Sequence, residues 1–381
     1  MNSKILAKVF TKREPHLLFS RMVQVLPDPD PVLQKTGKQI ETYRDLTSDA
    51  HVFANMQQRK AGTLSLKWQL KKQGKAENYN YAGEVLSRLD IDTLLSNILD
   101  AVFYGYSILE IMWQYRDGLW YPDAIEEKPQ EWFFFDDQNT PRYRGDISGD
   151  GITLPDNKFL IVQHQASYYN PYGEKILSRC YWPVTFKRGG YQFWVTFTEK
   201  YGMPFLLAKQ PRSYTKEEAQ TLLDALEKML TDTMAVVPDD SSISFLEGSR
   251  SYSSDVYKKF LDFCNSEISK AILAQTLTTE IQERGTYAAS KTHLDIYHHL
   301  VQGDKRLVEK TINKLLSIAC HLNFSQISDS DLPLFELYEE NDVNKALAER
   351  DELLIKQGVF LTPEYYKRNY NLREDEFTVL R

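Results

Sequence analysis

The sequence predicts an α+β fold, and three patterns predict it. Apolar and polar residues alternate strictly at Leu64, Leu66, Trp68 and Leu70, and again at Leu109, Ile111, Trp113 and Tyr115, as in half-buried strands. Apolar stripes at helical spacing, such as Ile91, Leu94, Leu95, Ile98 and Val102, mark amphipathic helices. At Pro171 the texture changes from short mixed elements to long helical segments around one small insert. The 381 residues allow two or three domains and an ample core.

Residues 1–39 read as an N-terminal arm. The run Pro27-Asp28-Pro29-Asp30-Pro31 is extended and not helical. The arm is either a clamp on a neighbouring subunit or a loosely ordered terminus. Ser48 is the expected cap of a helix through Ala61, with Val52 and Met56 on one face and Gly62 as its stop. The alternating strand follows, then a polar loop over Lys71–Asn80. The stripe from Ile91 to Val102 is a helix ended by Gly105. Asp117-Gly118 between alternating runs is a hairpin turn, with Trp120 starting the return strand. Trp132–Phe135 and Phe159–Val162 are further strands, so residues 40–171 form a mixed module.

Tyr172–Tyr201 has helical potential, but Pro183 and Gly189-Gly190 predict a kink or break there. A strand at Phe205–Ala208 follows. Thr215 then caps an amphipathic helix to Leu230 carrying Ala219, Leu222, Leu223, Leu226 and Met229. Two strands, Met234–Val237 and Ser242–Leu246, complete a small α/β unit. A helix from Ser254 to Leu273, a polar break at Gln275–Gly285 and a long helix over Tyr287–Leu322, bent near Gly303, come next. The tail holds a helix over Val343–Gln357 and a start signal at Thr362-Pro363-Glu364.

The composition is 42% hydrophobic and 26% charged, ordinary for a globular chain. Aromatic residues reach 13%, a supply that suits a large core or extensive subunit contacts. The formal net charge of -7 argues against tight wrapping by nucleic acid, though not against a surface along which DNA slides. The charge is uneven. Residues 1–80 hold 14 Lys+Arg against 7 Asp+Glu, whereas residues 325–381 hold 7 against 13. Separate faces for separate partners is one reading, and independently solvated faces is the other. Cys180, Cys264 and Cys320 are odd in number and far apart, which fits buried thiols in a reducing compartment better than a disulfide framework. No apolar run approaches the roughly 18 residues of a membrane span. Lys4, Lys8, Lys12 and Arg13 interrupt the start, so no secretory signal is expected. The expectation is a soluble intracellular chain.

Catalytic signatures do not survive inspection. Thr36-Gly37-Lys38 lacks the upstream glycine of a phosphate loop, and Gly105-Tyr106-Ser107 lacks the second glycine of a nucleophile elbow. Asp146–Gly151 resembles the opening of a calcium loop, but the twelfth position is Asn157, where a bidentate Glu is needed, and Pro155 spoils the exit helix. His293, Asp295, His298 and His299 form the densest metal-like cluster. Asp295, His298 and His299 share a helix face at i, i+3 and i+4. A solvated or interfacial face explains them better than zinc, whose ligands are usually better spaced. No catalytic residue, metal or cofactor is expected. The polar segment Gln275–Arg284, with balanced charge between two helices, suits weak contact with a passing polyanion, because strong cationic contacts would trap it. An ordinary interhelical connection has the same composition.

Several stretches occur in order along residues 40–370. Tyr43-Arg44-Asp45 and Asp49 come first, then Gln58-Arg59-Lys60 and Trp68. Asp100-Ala101, Tyr104-Gly105-Tyr106-Ser107 and Glu110-Ile111-Met112-Trp113 follow. Next are Trp182-Pro183, Phe186-Lys187 and Phe197–Pro204. The most specific is Leu277-Thr278-Thr279-Glu280, preceded by Ser269-Lys270, Ile272-Leu273 and Gln275-Thr276 and followed by Gly285 and Ala288-Ala289. Asn323-Phe324 closes the series. In order and spacing these stretches resemble the Mu-like bacteriophage portal family. Two departures stand out: Ala274 occupies a position expected to be glycine, and the C-terminus is short for the family.

The resemblance implies a phage portal fold, an α+β subunit of a dodecameric ring at a capsid vertex through which DNA is packaged and ejected. Residues 40–171 would be the wing, 172–202 a stem helix region, 203–248 the clip, 249–274 the second stem helix, 275–285 the tunnel loop, and 286–381 the long helix and crown. Gln275, Thr276, Thr278, Thr279, Gln282, Arg284 and Lys291 would then lie near the DNA channel. Leu222, Leu223, Leu226 and Met229 would face neighbouring subunits and the motor. The implied partners are further copies of the chain, double-stranded DNA, the terminase large subunit, major capsid and scaffold proteins, and neck or adaptor proteins. No membrane and no cofactor are implied, and the location is the virion, with host cytoplasm during assembly. The alternatives are another head–neck structural protein such as an adaptor, and a metal-dependent DNA hydrolase using Asp295, His298 and His299.

Overall fold

A computed structural model of the protein describes residues 28–37, 40–145, 151–202, 205–209, 215–217, 219–221, 223–224, 242–246, 251–276, 287–324, 327–339 and 345–370. They fall into two compact units, each assembled from separated stretches of chain. One contains Gln58–Gly173 and the described part of His299–Arg381. The other contains the described part of Pro27–Gln57 and of Glu174–His298. Consecutive segmentation does not reveal this division, because helices α3 (Ala50–Leu64) and α8 (Tyr287–Asn323) each contribute to both units.

The second unit begins with α1 (Pro31–Thr36) and α2 (Glu41–Leu46). Pro31 opens α1, where its missing N–H costs nothing, and the Asp30 carboxylate accepts from Val32 and Leu33. Val32 and Leu33 are buried, so the described part of the expected arm belongs to a packed core. Asp30 also accepts from the Tyr43 hydroxyl at 2.8 Å and from Ser178 at 3.1 Å. Burial and the nearby Asp30 carboxylate push the Tyr43 hydroxyl far above its ordinary range.

Helix α3 differs from the sequence expectation at both ends. Its cap is Asp49, not Ser48: Asp49 Oδ1 accepts from the backbone N–H groups of His51 and Val52, at 2.9 and 3.1 Å. Gly62 does not stop the helix, which continues to Leu64. The last turns are held by buried ion pairs. Arg59 donates from Nε and Nη2 to the two carboxylate oxygens of Asp304 at 2.8 and 3.0 Å, and Lys60 Nζ lies 2.8 Å from Asp100.

The first unit is built on a three-stranded antiparallel sheet with order β3-β2-β7. Its strands are β2 (Tyr106–Arg116), β3 (Leu119–Lys128) and β7 (Phe159–Gln163). The Asp117-Gly118 turn is as predicted, with both residues at positive φ, 51° and 85°. Strand β2 is buried almost continuously from Tyr106 to Ile111. Helix α5 (Ile91–Tyr104) covers it with Leu94, Leu95, Ile98, Leu99, Val102 and Phe103. Each such side chain contributes about 1.5–3 kcal/mol by leaving water. Tyr106, Phe135 and Tyr172 form an edge-to-face aromatic cluster with centroids 4.9–5.8 Å apart. Phe135 lies on β4 (Phe133–Phe135), which pairs with β5 (Pro141–Tyr143), and β5 pairs with β6 (Ile152–Thr153). Gly173, at φ 75°, closes the segment, and a Cβ there would fall 2.3 Å from the Gly105 carbonyl oxygen.

Two features of this unit are absent from the sequence reading. The expected loop over Lys71–Asn80 is half helix, because α4 (Ala76–Arg88) starts at Ala76 and buries Tyr81, Ala82, Val85 and Leu86. Strand β1 is Lys67–Lys71, shorter than the alternating run, and its partner is β10 (Leu334–Tyr338), with Lys67 opposite Tyr338. The other edge of β10 is satisfied by side chains of α8. Asn313 exchanges two hydrogen bonds with the Phe335 backbone at 2.8 and 3.0 Å, and Glu309 accepts from Leu337 N–H at 2.8 Å. An asparagine amide here supplies the donor and acceptor that a neighbouring strand would offer. Asn323, at the end of α8, does the same for Trp120: it accepts from the Trp120 N–H at 2.7 Å and donates to its carbonyl at 2.9 Å. Helix α8 passes Gly303 without interruption. The tail contains α9 (Lys345–Lys356) and α10 (Pro363–Tyr370), with Thr362 starting α10 as expected.

Replacing Arg59 with Met leaves Asp304 buried without its partner and should cost about 3–5 kcal/mol in chemical denaturation. The double variant Arg59→Met, Asp304→Leu should recover most of that loss. Equal losses in the two variants would show that packing, and not charge pairing, is what the site requires.

Candidate functional site

Helices α6 (Ile176–Gly202) and α7 (Ser251–Leu273) form a long hairpin. Helix α6 is followed by β8 (Phe205–Lys209), and β9 (Ser242–Leu246) returns antiparallel to it before α7. Along the helices Phe197 meets Tyr257 with ring centroids 5.6 Å apart, and Gly190 lies against Phe260 and Leu261. The predicted break at Pro183 and Gly189-Gly190 does not occur, and α6 is one helix of 27 residues. The cause is tertiary. At Gly190 a Cβ would approach the Phe260 ring to 3.1 Å, so the glycine is where the partner helix passes closest. At Gly190 helix packing overrides the local preference against glycine.

The inner faces of the hairpin are apolar and buried: Leu177, Cys180, Tyr181 and Val184 on α6, and Leu261, Cys264, Ile268 and Ile272 on α7. The outer faces mix charged and polar residues with large apolar side chains that are exposed. Trp182 and Phe186 stack on one another at 5.6 Å, and Phe193 is 69% exposed. On α7, Phe263 is 61% exposed.

At its root the hairpin is fastened by polar contacts. Lys187 Nζ lies 2.8 Å from Asp49, with both side chains almost fully buried, and His51 Nε2 lies 2.7 Å from Ser269 Oγ. Arg188 hydrogen-bonds Asp45 and Ser48 on its exposed side. Burial, with a smaller contribution from the Asp49 charge, pushes the Cys180 thiol up to about 12, and burial pushes Cys320 up to about 11. Cys180, Cys264 and Cys320 are buried and free, as expected for inert core thiols.

The polar break after α7 begins at Ala274, whose φ of 54° lies in the left-handed region that favours glycine. Gln275 is buried within the chain and Thr276 is half-buried. Thr278, Thr279, Gln282 and Arg284 lie outside the described residues. Lys291 has a helical backbone in α8, and its side chain lies outside the described set. In the small insert, Ala219 N–H donates to the Thr215 carbonyl as a helix start requires, and Leu223 is helical and exposed. Leu222, Leu226, Met229 and the strand expected at 234–237 are outside the described residues. So are residues 146–150 of the calcium-like loop. Asp295, His298 and His299 are exposed on α8, and no His, Cys, Asp and Glu group among the described residues could hold a metal ion. No helix among the described residues is long and apolar enough to cross a membrane.

The outer aromatic faces of α6 and α7 are the feature that sequence reading passed over. The signal was present, since Trp182, Phe186, Tyr191, Phe193 and Val195 do not share one helical stripe. Only the hairpin geometry shows which of them remain uncovered.

The fold is shared with chains of virus-like particles. A chain from the virion of a native gene transfer agent particle superposes with a TM-score of 0.61 at 12% identity, covering 87% of this chain and 93% of its own. A chain from the neck of a native gene transfer agent particle, computed with C12 symmetry, gives 0.61 at 12% identity over 92% and 95%. A third, from the neck of an empty gene transfer agent particle, gives 0.62 at 11% identity over 90% and 98%. The class is thus an α+β fold shared with these virion and neck chains. Residues 40–372 match the family described as the portal protein of Mu bacteriophage, and the chain belongs to that family. The portal protein of Escherichia phage Mu is 26% identical over 308 residues, which are 77% of this chain and 60% of that relative. The chain therefore matches less than two thirds of the relative's length.

The two adjacent glycines of α6 provide a test of the hairpin. Gly189 has nothing within 4 Å of an added Cβ, so Gly189→Ala should stabilise the protein by about 0.5–1 kcal/mol through helix propensity. Gly190→Val should destabilise it by about 1–3 kcal/mol by forcing Phe260 and Leu261 aside. Thermal denaturation of the two variants side by side measures the contrast.

Proposed function

We propose that twelve copies of this chain form a portal ring at a capsid vertex, through which double-stranded DNA enters during packaging and leaves on ejection. The observation that carries this reading is the family match over residues 40–372. The shared fold of a neck chain computed with C12 symmetry supports the subunit number. The bare aromatic faces of α6 and α7 supply the contact a ring needs. A ring requires a head-to-tail interface between two different surfaces of each copy, and the outer sides of two helices offer such a pair. Burying Phe193 and Phe263 between neighbours would remove the largest apolar exposure of the hairpin.

In this reading residues 40–171 act as the wing, α6 and α7 as the stem, 203–248 as the clip, 275–285 as the tunnel loop and 286–381 as the crown region. The clip meets the terminase motor during packaging and neck proteins afterwards. The major capsid and scaffold proteins surround the wing. Gln275, Thr276, Thr278, Thr279, Gln282, Arg284 and Lys291 line or approach the channel. Their modest charge lets the polyanion slide instead of binding it tightly. The chain does no bond-making chemistry of its own, and the energy for packaging comes from another protein.

Electron microscopy of the purified protein and of particles containing it, with symmetry left free, tests the reading. Twelvefold rings with a central hole wide enough for duplex DNA are expected. Compact particles without a channel, taken from assembled virions, would overturn it. Phe193→Glu and Phe263→Glu should each lower the assembled fraction while leaving the circular dichroism of the subunit unchanged. Leu223→Asp should leave the stem contact intact and impair packaging at the clip.

A further inference from the structure

The root of the α6–α7 hairpin contains one titratable group of a different kind from its neighbours. His51, in the first turn of α3, places Nε2 2.7 Å from Ser269 Oγ on α7. The ring also donates to the backbone carbonyl of Asn265, one turn earlier on α7. Asn55, one turn further along α3 and fully buried, donates to the His51 carbonyl at 2.8 Å and reaches Ser269 Oγ at 3.5 Å. Three side chains thus hold the start of α3 against α7, and His51 is the one that can change charge near neutral pH.

The charged groups around it are few. From α6, the Lys187 ammonium faces the ring, with its partner Asp49 at the end of α3. From α7 come the Cys264 thiol, which burial keeps neutral, and the Glu267–Lys270 ion pair at 2.7 Å. From the preceding short helix, Asp45 is occupied by Arg188. The single carboxylate beside the ring, Asp49, is therefore already neutralised by Lys187. A proton added to His51 would create a second cation next to that ammonium in a half-buried site.

We propose that His51 is an acid-sensitive latch: neutral, it holds the first turns of α3 on the α6–α7 hairpin, and protonated, it releases them. Burial disfavours the charged ring first and the Lys187 charge second, and both outweigh the Asn265 carbonyl and Asp49. The folded state therefore holds the imidazole below its ordinary value, and the unfolded or released segment binds the proton more readily. The stabilisation is complete above the unfolded value of about 6.5 and is lost as the pH falls through the window below it. Each unit by which the folded value is depressed corresponds to about tenfold in the release equilibrium. The latch is independent of the ring, since every contact in it lies within one copy.

Amide exchange of residues 50–56 in the full-length protein, compared between wild type and His51→Gln at the same pH, reads the latch directly. Glutamine retains a hydrogen bond to Ser269 and does not titrate. Protection of this segment in the wild type should fall relative to the variant between pH 7 and pH 5, by about tenfold per unit of depression. Unchanged relative protection across that range would overturn the proposal. Titration of the His51 ring by NMR in the unaltered protein gives a second reading that needs no variant. A midpoint below the ordinary histidine value supports the latch, and a midpoint at or above it removes the latch.

Discussion

Helix α3 concentrates the constraint on which the rest of the structure depends, the need to bury charged side chains only in matched pairs. Asp49 meets Lys187, His51 meets Ser269, Arg59 meets Asp304 and Lys60 meets Asp100. Forming such pairs adds little net stability, because desolvation offsets most of the attraction. Breaking one is costly, because it leaves an uncompensated charge away from water. Within each unit, such a pair restricts the arrangement of the elements it joins. Apolar contact alone would tolerate several.

The same constraint is met at several residues of the stretches that carried the family resemblance. The stretches that carried the resemblance include Tyr43, Asp45, Asp49, Arg59, Lys60, Asp100, Lys187, Ser269 and Asn323. In the structure each of them has a specific polar partner: Tyr43 with Asp30, Asp45 with Arg188, Asp49 with Lys187, Arg59 with Asp304, Lys60 with Asp100, Ser269 with His51 and Asn323 with Trp120. A bidentate guanidinium–carboxylate pair or an amide spanning a peptide group permits almost no substitution. A buried Leu or Ile permits several. Residue identity is thus most informative where geometry is most exacting.

The outer faces of α6 and α7 follow a different logic. There large apolar side chains such as Phe193 and Phe263 stand exposed among polar ones. Strand β10 shows the opposite solution to an open surface, because Asn313 and Glu309 of α8 satisfy the edge that β1 leaves free. The chain closes its exposed backbone edge with side chains of its own and leaves its exposed aromatic faces for contact with neighbouring copies in the proposed ring. An unpaired backbone group is costly within every copy, whereas an apolar face becomes an asset once copies meet.

The sequence by itself determined the local features. Asp117-Gly118 fixed the hairpin turn, the stripe from Ile91 to Val102 fixed α5, Thr362-Pro363 fixed the start of α10, and the three distant cysteines foretold buried thiols. Each signal acts over a few residues, through allowed φ values, helical periodicity or a missing N–H, so it is legible without the fold. Part of the candidate site was legible in the same way: a polar break after Leu273 is visible in composition, and Ala274 takes the left-handed conformation for which a glycine was expected. Tertiary structure alone decided that Asp49 and not Ser48 caps α3, that α6 runs through Pro183 and Gly190, that β1 pairs with β10, and that Arg59 finds Asp304. The reason is combinatorial as well as energetic. A cap or a turn has few competitors, but a strand edge or a buried arginine has many candidate partners along the chain. Only the packed arrangement that satisfies all of them together selects one.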